Sequence, residues 1–149
     1  MTNVESFTLD HTKVKAPFVR KSGVEERQGV RVSKFDLRFL QPNQEEMTTG
    51  AVHTLEHFLA GFMRDRLEGV IDLSPMGCRT GFYMITWGEP EVETVIEALN
   101  YSLEKTLEQE EIPAANELQC GNYRDHSLEE AKNYARQVLD KGISDKIYG

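Results

Sequence analysis

Val30–Phe39, VRVSKFDLRF, is the stretch that decides the fold. In its second half Phe35, Leu37 and Phe39 fall on one side and Lys34, Asp36 and Arg38 on the other. That period-2 alternation reads as a strand with one covered face. Gln41–Gln44, QPNQ, breaks it with turn residues. Next, Thr48 or Thr49 can cap a helix in which Val52, Leu55, Leu59 and Phe62 recur at helical spacing. Gly69 closes that helix as the residue that enters the left-handed conformation. Val70–Leu73 reads as a short buried strand, residues 74–81 (SPMGCRTG) as a tight loop, and Phe82–Trp87 as another strand. Pro90 opens a second helix whose Val92, Val95, Ile96, Leu99 and Leu103 form one stripe. Residues 111–122 are mostly loop. Ser127 with Glu130 makes a capping box for a third helix that runs to about Lys141 and ends at Gly142. Strands and helices mix without a regular βαβ alternation, and there is no Gly-rich phosphate loop. The expectation is one α+β domain over residues 1–149, an antiparallel sheet of about four strands with helices packed on one face.

Length and charge agree with this. A chain of 149 residues suits a single core. A net charge of −8 with no basic run of five disfavours nucleic acid, because a phosphate-binding surface needs clustered Lys and Arg. The acidic excess reads as a soluble surface. The N-terminus, MTNVESFTLDH, lacks the basic start and apolar stretch of a secretory signal. Apolar runs such as Phe82–Trp87 are too short to span a membrane. Two cysteines, Cys78 and Cys120, are fewer than a secreted disulfide scaffold of this size carries. A reducing, cytoplasmic address is expected. No internal repeat, low-complexity tract or linker interrupts the chain.

The helix from Ala51 to Gly69, AVHTLEHFLAGFMRDRLEG, carries the chemistry. His53 and His57 are four apart, one above the other on one helix face. Two imidazole nitrogens so placed can reach one metal ion about 2 Å from each. Glu56 borders the same face, where it can serve as base, proton carrier or outer partner. The plainer reading is a polar stripe on a surface helix. Against it, Phe58, Leu59, Phe62 and Met63 spread apolar surface around the helix, and a lone buried carboxylate is costly unless neutralised or paired. Two helical histidines make half a site. The other donors must come from among Cys78, Cys120, His126, His11 and the carboxylates, with a position left for water or substrate if the site is catalytic. Both cysteines have a glycine beside them, which allows close backbone approach; each could equally be a small buried apolar residue. Spacing does not choose between them. H-x-x-E-H also marks inverted-motif zinc peptidases, and four protein ligands would make a non-catalytic, metal-stabilised module.

Five segments together resemble the S-ribosylhomocysteine lyase family, LuxS. They are residues 4–17 (VESFTLDHTKVKAP), 34–44 (KFDLRFLQPNQ), 53–57 (HTLEH), 74–83 (SPMGCRTGFY) and 112–126 (IPAANELQCGNYRDH). The resemblance runs over nearly the whole chain and implies roles that spacing leaves open. His53, His57 and Cys120 match the family's three metal ligands, with water or a substrate oxygen in the fourth place. Glu56 and Cys78 match its two acid/base residues. Ser6, His11 and Arg38 match positions lining the sugar end of the pocket, and Arg64 and Asp72 match residues near the amino-acid end. Taken alone, Arg38 reads as a solvated strand residue, Ser6 and His11 as surface or turn groups, Arg64 as a charge on a helix flank, and Asp72 as a cap on the following turn. The resemblance further implies a homodimer with two sites at the interface and one divalent metal per subunit, ferrous iron first, zinc or cobalt as substitutes.

The implied reaction cleaves S-ribosylhomocysteine to homocysteine and dihydroxy-pentanedione, the precursor of a signalling molecule used in quorum sensing. Homocysteine re-enters the methyl cycle. The sugar carbonyl migrates from the first to the third carbon through enediolates, after which the thioether sulfur leaves by β-elimination. A divalent ion supplies Lewis acidity. Cys78 would move protons between carbons as a thiolate, favoured by metal charge, Arg38 or backbone N–H groups, and Glu56 would exchange protons with the oxygens. There is no net redox change, so no nicotinamide or flavin is required.

Overall fold

The computed structural model describes residues 3–149. Met1 and Thr2, the start of the stretch read for a signal segment and of the expected 1–149 domain, lie outside the described residues. Elements follow in the order α1 (Glu5–Thr8), β1 (Phe18–Arg27), β2 (Val30–Arg38), α2 (Thr49–Arg66), β3 (Val70–Pro75), β4 (Gly81–Trp87), α3 (Val92–Leu107) and α4 (Leu128–Lys141). The four strands form one sheet in the order β1-β2-β4-β3, every neighbouring pair antiparallel. This is the expected α+β architecture.

The alternating strand sits where it can be sandwiched. β2 pairs with β1 on one side and β4 on the other. Phe35 and Leu37 are fully buried and join Val19, Leu73, Phe82 and Met84 in the core, together with Leu55, Leu59 and Met63 of α2, Leu99 and Leu103 of α3, and Ala131, Ala135 and Val138 of α4. The three long helices therefore cover one face of the sheet, as the alternation predicts. The other face departs from expectation. Asp36 is wholly buried and Arg38 is 2 % exposed, so at this end of β2 both faces are covered.

The strand that sequence periodicity does not reveal is β1. Phe18 and Val19 are adjacent and both buried, and the rest, from Arg20 to Arg27, is largely charged. Its register with β2 shifts between Lys21 and Gly23, the signature of a bulge. A bulged edge strand with a charged far end has no clean alternation to read. Gln28 and Gly29, with φ of 52° and 80°, close the hairpin as a two-residue turn of positive φ.

Helix ends refine the sequence reading. Thr48 caps α2, its hydroxyl accepting from the Ala51 amide at 3.2 Å. The helix stops at Arg66 with Leu67 as its cap. Gly69, at φ +79°, serves the turn into β3 instead of the helix terminus. Likewise Pro90 lies one residue ahead of the α3 cap, Glu91. Ser127 caps α4 by accepting from Glu130 N–H. The reciprocal half of the capping box is not made, because the Ser127 amide is taken by Thr54 Oγ1 at 3.0 Å and the Gly50 carbonyl at 3.2 Å. Those bonds pin the start of α4 onto α2. The two backbones come close here: a Cβ on Gly50 would sit 3.3 Å from the His126 carbonyl carbon.

Candidate metal centre

His53 and His57 project from adjacent turns of α2, and both are half-buried. The helix faces the long connection between α3 and α4, in which no helix or strand is formed between Leu107 and Leu128. That connection supplies carbonyl partners for both rings. His53 Nδ1 lies 2.8 Å from the Asp125 oxygen and His57 Nδ1 2.7 Å from the Pro113 oxygen. A carbonyl can only accept, so each Nδ1 bears the proton and each Nε2 presents a lone pair. Carbonyl-anchored imidazoles of this kind are how protein metal sites orient their ligands.

The same connection delivers sulfur. Cys120 Sγ lies 3.4 Å from His53 Nε2 and 3.9 Å from His57 Nε2. Metal–nitrogen distances of about 2.0–2.1 Å and metal–sulfur of about 2.3 Å place such donors about 3.5 Å apart on a tetrahedron. The two histidines and the thiol fit a single ion. Of the donors left open by spacing, Cys78 and His11 stand outside the cluster and His126 joins it. Its Nε2 is 3.8 Å from Cys120 Sγ, and the four donor atoms all lie within 4.8 Å of one another. His126 is the residue the sequence reading left among several alternatives. Its one local signal is its place immediately before the α4 cap. The His126 imidazole is pushed down to about 4, first by burial and then by the neighbouring His53 and His57, with Asp125 opposing. It is therefore neutral at neutral pH.

Glu56 stands between the two histidines, half-buried, and makes no ion pair among the described residues. No disulfide forms, since both cysteines are free. Cys78 lies in the tight loop between β3 and β4, closed by the Arg79 N–H to Met76 carbonyl bond and the Met76 N–H to Gly81 carbonyl bond. A Cβ at Gly81 would run into the Leu37 carbonyl oxygen, so only glycine lets β4 approach β2 closely enough to seat this loop against Arg38. There, Arg38 Nη1 donates to Thr80 Oγ1 at 3.3 Å, and Thr80 Oγ1 lies 3.0 Å from Cys78 Sγ. The Thr80 hydroxyl also has Met76 Sδ within 4.0 Å, so its oxygen lies among Arg38, Cys78 and Met76.

Arg38 belongs to a buried set of charges, which corrects its reading as a solvated strand residue. It grips Asp36 with two bonds, Nε to Oδ1 at 3.1 Å and Nη2 to Oδ2 at 2.8 Å. Arg20 Nε also donates to Asp36 Oδ2 at 3.0 Å, and its other nitrogens reach Glu5 of α1. Two guanidiniums and two carboxylates thus cancel. Burial is the largest influence on Arg20 and acts to lower its pKa; the bonds to Glu5 and Asp36 together outweigh it and raise it. Tyr83 is raised chiefly by burial, with its neighbour Ser6 pulling the other way through a hydrogen bond. Ser6 follows Glu5 in α1, the helix that reaches this cluster through the Glu5–Arg20 bonds. Sequence reasoning missed Asp36, Arg20 and Thr80, because each reads as an ordinary strand or turn residue.

The remaining expected positions are more open. His11 turns its Nδ1 to the Leu9 oxygen at 2.9 Å. Arg64 lies two turns beyond His57, donating to the Ala60 and Ile71 oxygens. Asp72 is exposed on β3, paired with Ile85. Among the described residues no helix is long and apolar enough to cross a membrane.

The family model for S-ribosylhomocysteinase (LuxS) matches residues 4–148. A Clostridium perfringens protein is 65 % identical over 149 residues, covering 99 % of each chain. One from Clostridioides difficile is 61 % identical over all of this chain and 99 % of its own, and one from Deinococcus radiodurans 58 % identical over 96 % of this chain and 92 % of its own. All three are named S-ribosylhomocysteine lyase.

Proposed function

The chain belongs to the S-ribosylhomocysteinase (LuxS) family, and on that premise we propose that it cleaves S-ribosylhomocysteine to homocysteine and dihydroxy-pentanedione. The observation that carries the reading is that Cys120 Sγ of the α3–α4 connection meets, at ligand spacing, His53 Nε2 and His57 Nε2 of the helix that also bears Glu56. These three residues would hold one divalent ion, and ferrous iron, zinc or cobalt all suit two imidazoles and one thiolate. The ion would act as a Lewis acid on carbonyl and hydroxyl oxygens of the sugar.

The side chains have complementary tasks. Cys78, as thiolate, takes a proton from one sugar carbon and returns it to the next. Glu56 moves protons among the sugar oxygens and returns one to the departing thiol. A positioned acid or base of this kind contributes roughly 10²–10⁴-fold. Arg38, Ser6 and His11 bind the sugar end, and Arg64 with Asp72 binds the amino-acid end. The protons that leave one carbon arrive at another, so no oxidant or reductant takes part. The sites lie at the interface of a cytoplasmic homodimer, and the products serve autoinducer synthesis and the methyl cycle.

The test is thiol release from S-ribosylhomocysteine by the purified protein, with and without a chelator. The expected outcome is release that stops with chelation and returns when a divalent ion is restored. Peptide hydrolysis without thiol release would reverse the assignment.

A further inference from the structure

His126 brings a fourth protein donor to a site whose proposed chemistry needs an open corner. This inference rests on the reading of His53, His57 and Cys120 as ligands. We propose that His126 is not a ligand but a positioning residue, which holds its proton on Nε2 and donates it to the Cys120 sulfur.

Hydrogen bonding separates the three imidazoles. His53 and His57 face carbonyl oxygens through Nδ1, which fixes their lone pairs on Nε2. His126 Nδ1 instead faces the Thr54 hydroxyl at 2.9 Å. That oxygen already accepts the Ser127 amide at 3.0 Å, and Thr54 is wholly buried. Among the described residues, His126 Nδ1 is the acceptor within reach of the Thr54 hydroxyl proton. A hydroxyl left without an acceptor in such a place is costly, so Thr54 donates and His126 Nδ1 accepts. The His126 proton then sits on Nε2, and a protonated nitrogen cannot bind an ion.

Ring geometry agrees. Two imidazoles bound linearly to one tetrahedral ion keep their centroids about 5 Å apart. His53 and His57 are 4.8 Å apart and nearly perpendicular. His126 keeps 4.7 Å and 74° to His57, but stacks on His53 at 3.9 Å with 22° between the planes, closer than two ligands of one ion would lie. It lies beside the first ligand, with Nε2 3.8 Å from Cys120 Sγ, within the reach of an N–H···S bond. Such a bond draws electron density from a thiolate ligand, leaving the ion more electrophilic and the sulfur fixed in direction. Thr54 sits one residue after His53 on α2, and Ser127 directly follows His126. The contact that pins α4 on α2 is therefore the same one that sets this tautomer.

The test uses cobalt-loaded protein as wild type, His126→Phe, His126→Gln and Thr54→Val. Readouts are metal per chain, cobalt affinity by competition with a chromophoric chelator, and the sulfur-to-cobalt charge-transfer band. Expected are one cobalt per chain in all four, an affinity loss of no more than about 10–100-fold, and a band moved to lower energy in His126→Phe and Thr54→Val. His126→Gln, which keeps an N–H donor, moves the band less. If His126→Phe or His126→Gln loses cobalt as completely as His57→Ala, His126 is a ligand and the inference is overturned. A band unmoved in both His126→Phe and Thr54→Val overturns it as well; should the phenylalanine variant not fold, the Thr54→Val band alone decides. Failure of the underlying metal reading looks different: the wild type itself takes up no cobalt, or the charge-transfer band survives Cys120→Ala.

Discussion

The histidine–cysteine cluster on α2 and the charge cluster on β2 both take several ionisable groups out of water, yet they are balanced differently. On β2, Asp36 is shared by Arg20 and Arg38, and Glu5 completes the set, so the charges cancel among themselves. At α2, His53 and His57, joined by Cys120 from the α3–α4 connection, turn lone pairs toward a common point, with no ion pair to meet them among the described residues. The first cluster is complete as folded; the second is complementary to something from outside. A set of donors anchored from behind and unpaired in front can hold an ion, whereas the charges around Asp36 are already paired with one another.

That contrast can be broken most directly at the donors. Cys120→Ala and His57→Ala are expected to lower bound metal well below one ion per chain and abolish thiol release, with the helical circular dichroism retained. Elemental analysis and the thiol assay check both. Cys78 touches the charge cluster through Thr80 and is the proposed acid/base. Cys78→Ser is expected to keep its metal and lose roughly 10²–10⁴-fold in turnover. Glu56→Gln should fall in the same range, and near-normal turnover would remove Glu56 from the mechanism. The opposite pattern is expected on β2. Asp36→Asn leaves the buried Arg38 guanidinium without its carboxylate, while Arg20 keeps Glu5, and should cost about 3–5 kcal/mol of stability, read from the urea midpoint, with the His53, His57 and Cys120 donors still in place. The smallest effect tests a position outside both clusters. Ser127→Ala removes the α4 cap at a cost of about 1 kcal/mol, seen as a modest drop in melting temperature without loss of metal.

The same contrast explains what could be read in advance. His53 and His57 were legible because an i, i+4 pair on a helix is a statement about one face, and α2 forms where its apolar spacing says. The sheet was legible from Phe35, Leu37 and Phe39, whose partners in α2, α3 and α4 bury them. Alternation also says where Asp36 and Arg38 point, but not what comes to cover them. Their cover includes β1, whose bulge and charges hide its periodicity, and α1, a single turn that reaches Arg20 through Glu5. Cys120 and His126 were beyond spacing altogether, because an irregular connection has no period. Only the resemblance singled out Cys120, and nothing in the sequence raised His126 above the other unassigned donors.

The connection between α3 and α4 joins the two helices while contributing Cys120 and the carbonyls of Pro113 and Asp125 to the histidine cluster. Leu118 in the same stretch is 94 % exposed, so little apolar packing holds that part down. Where donors lie on such a segment, binding an ion is expected to help order it, as in domains where ligand and fold arrive together. We expect that stripping the ion slackens this tether first, so that limited tryptic cutting at the exposed Arg124 gauges how much of a preparation is loaded, without any substrate.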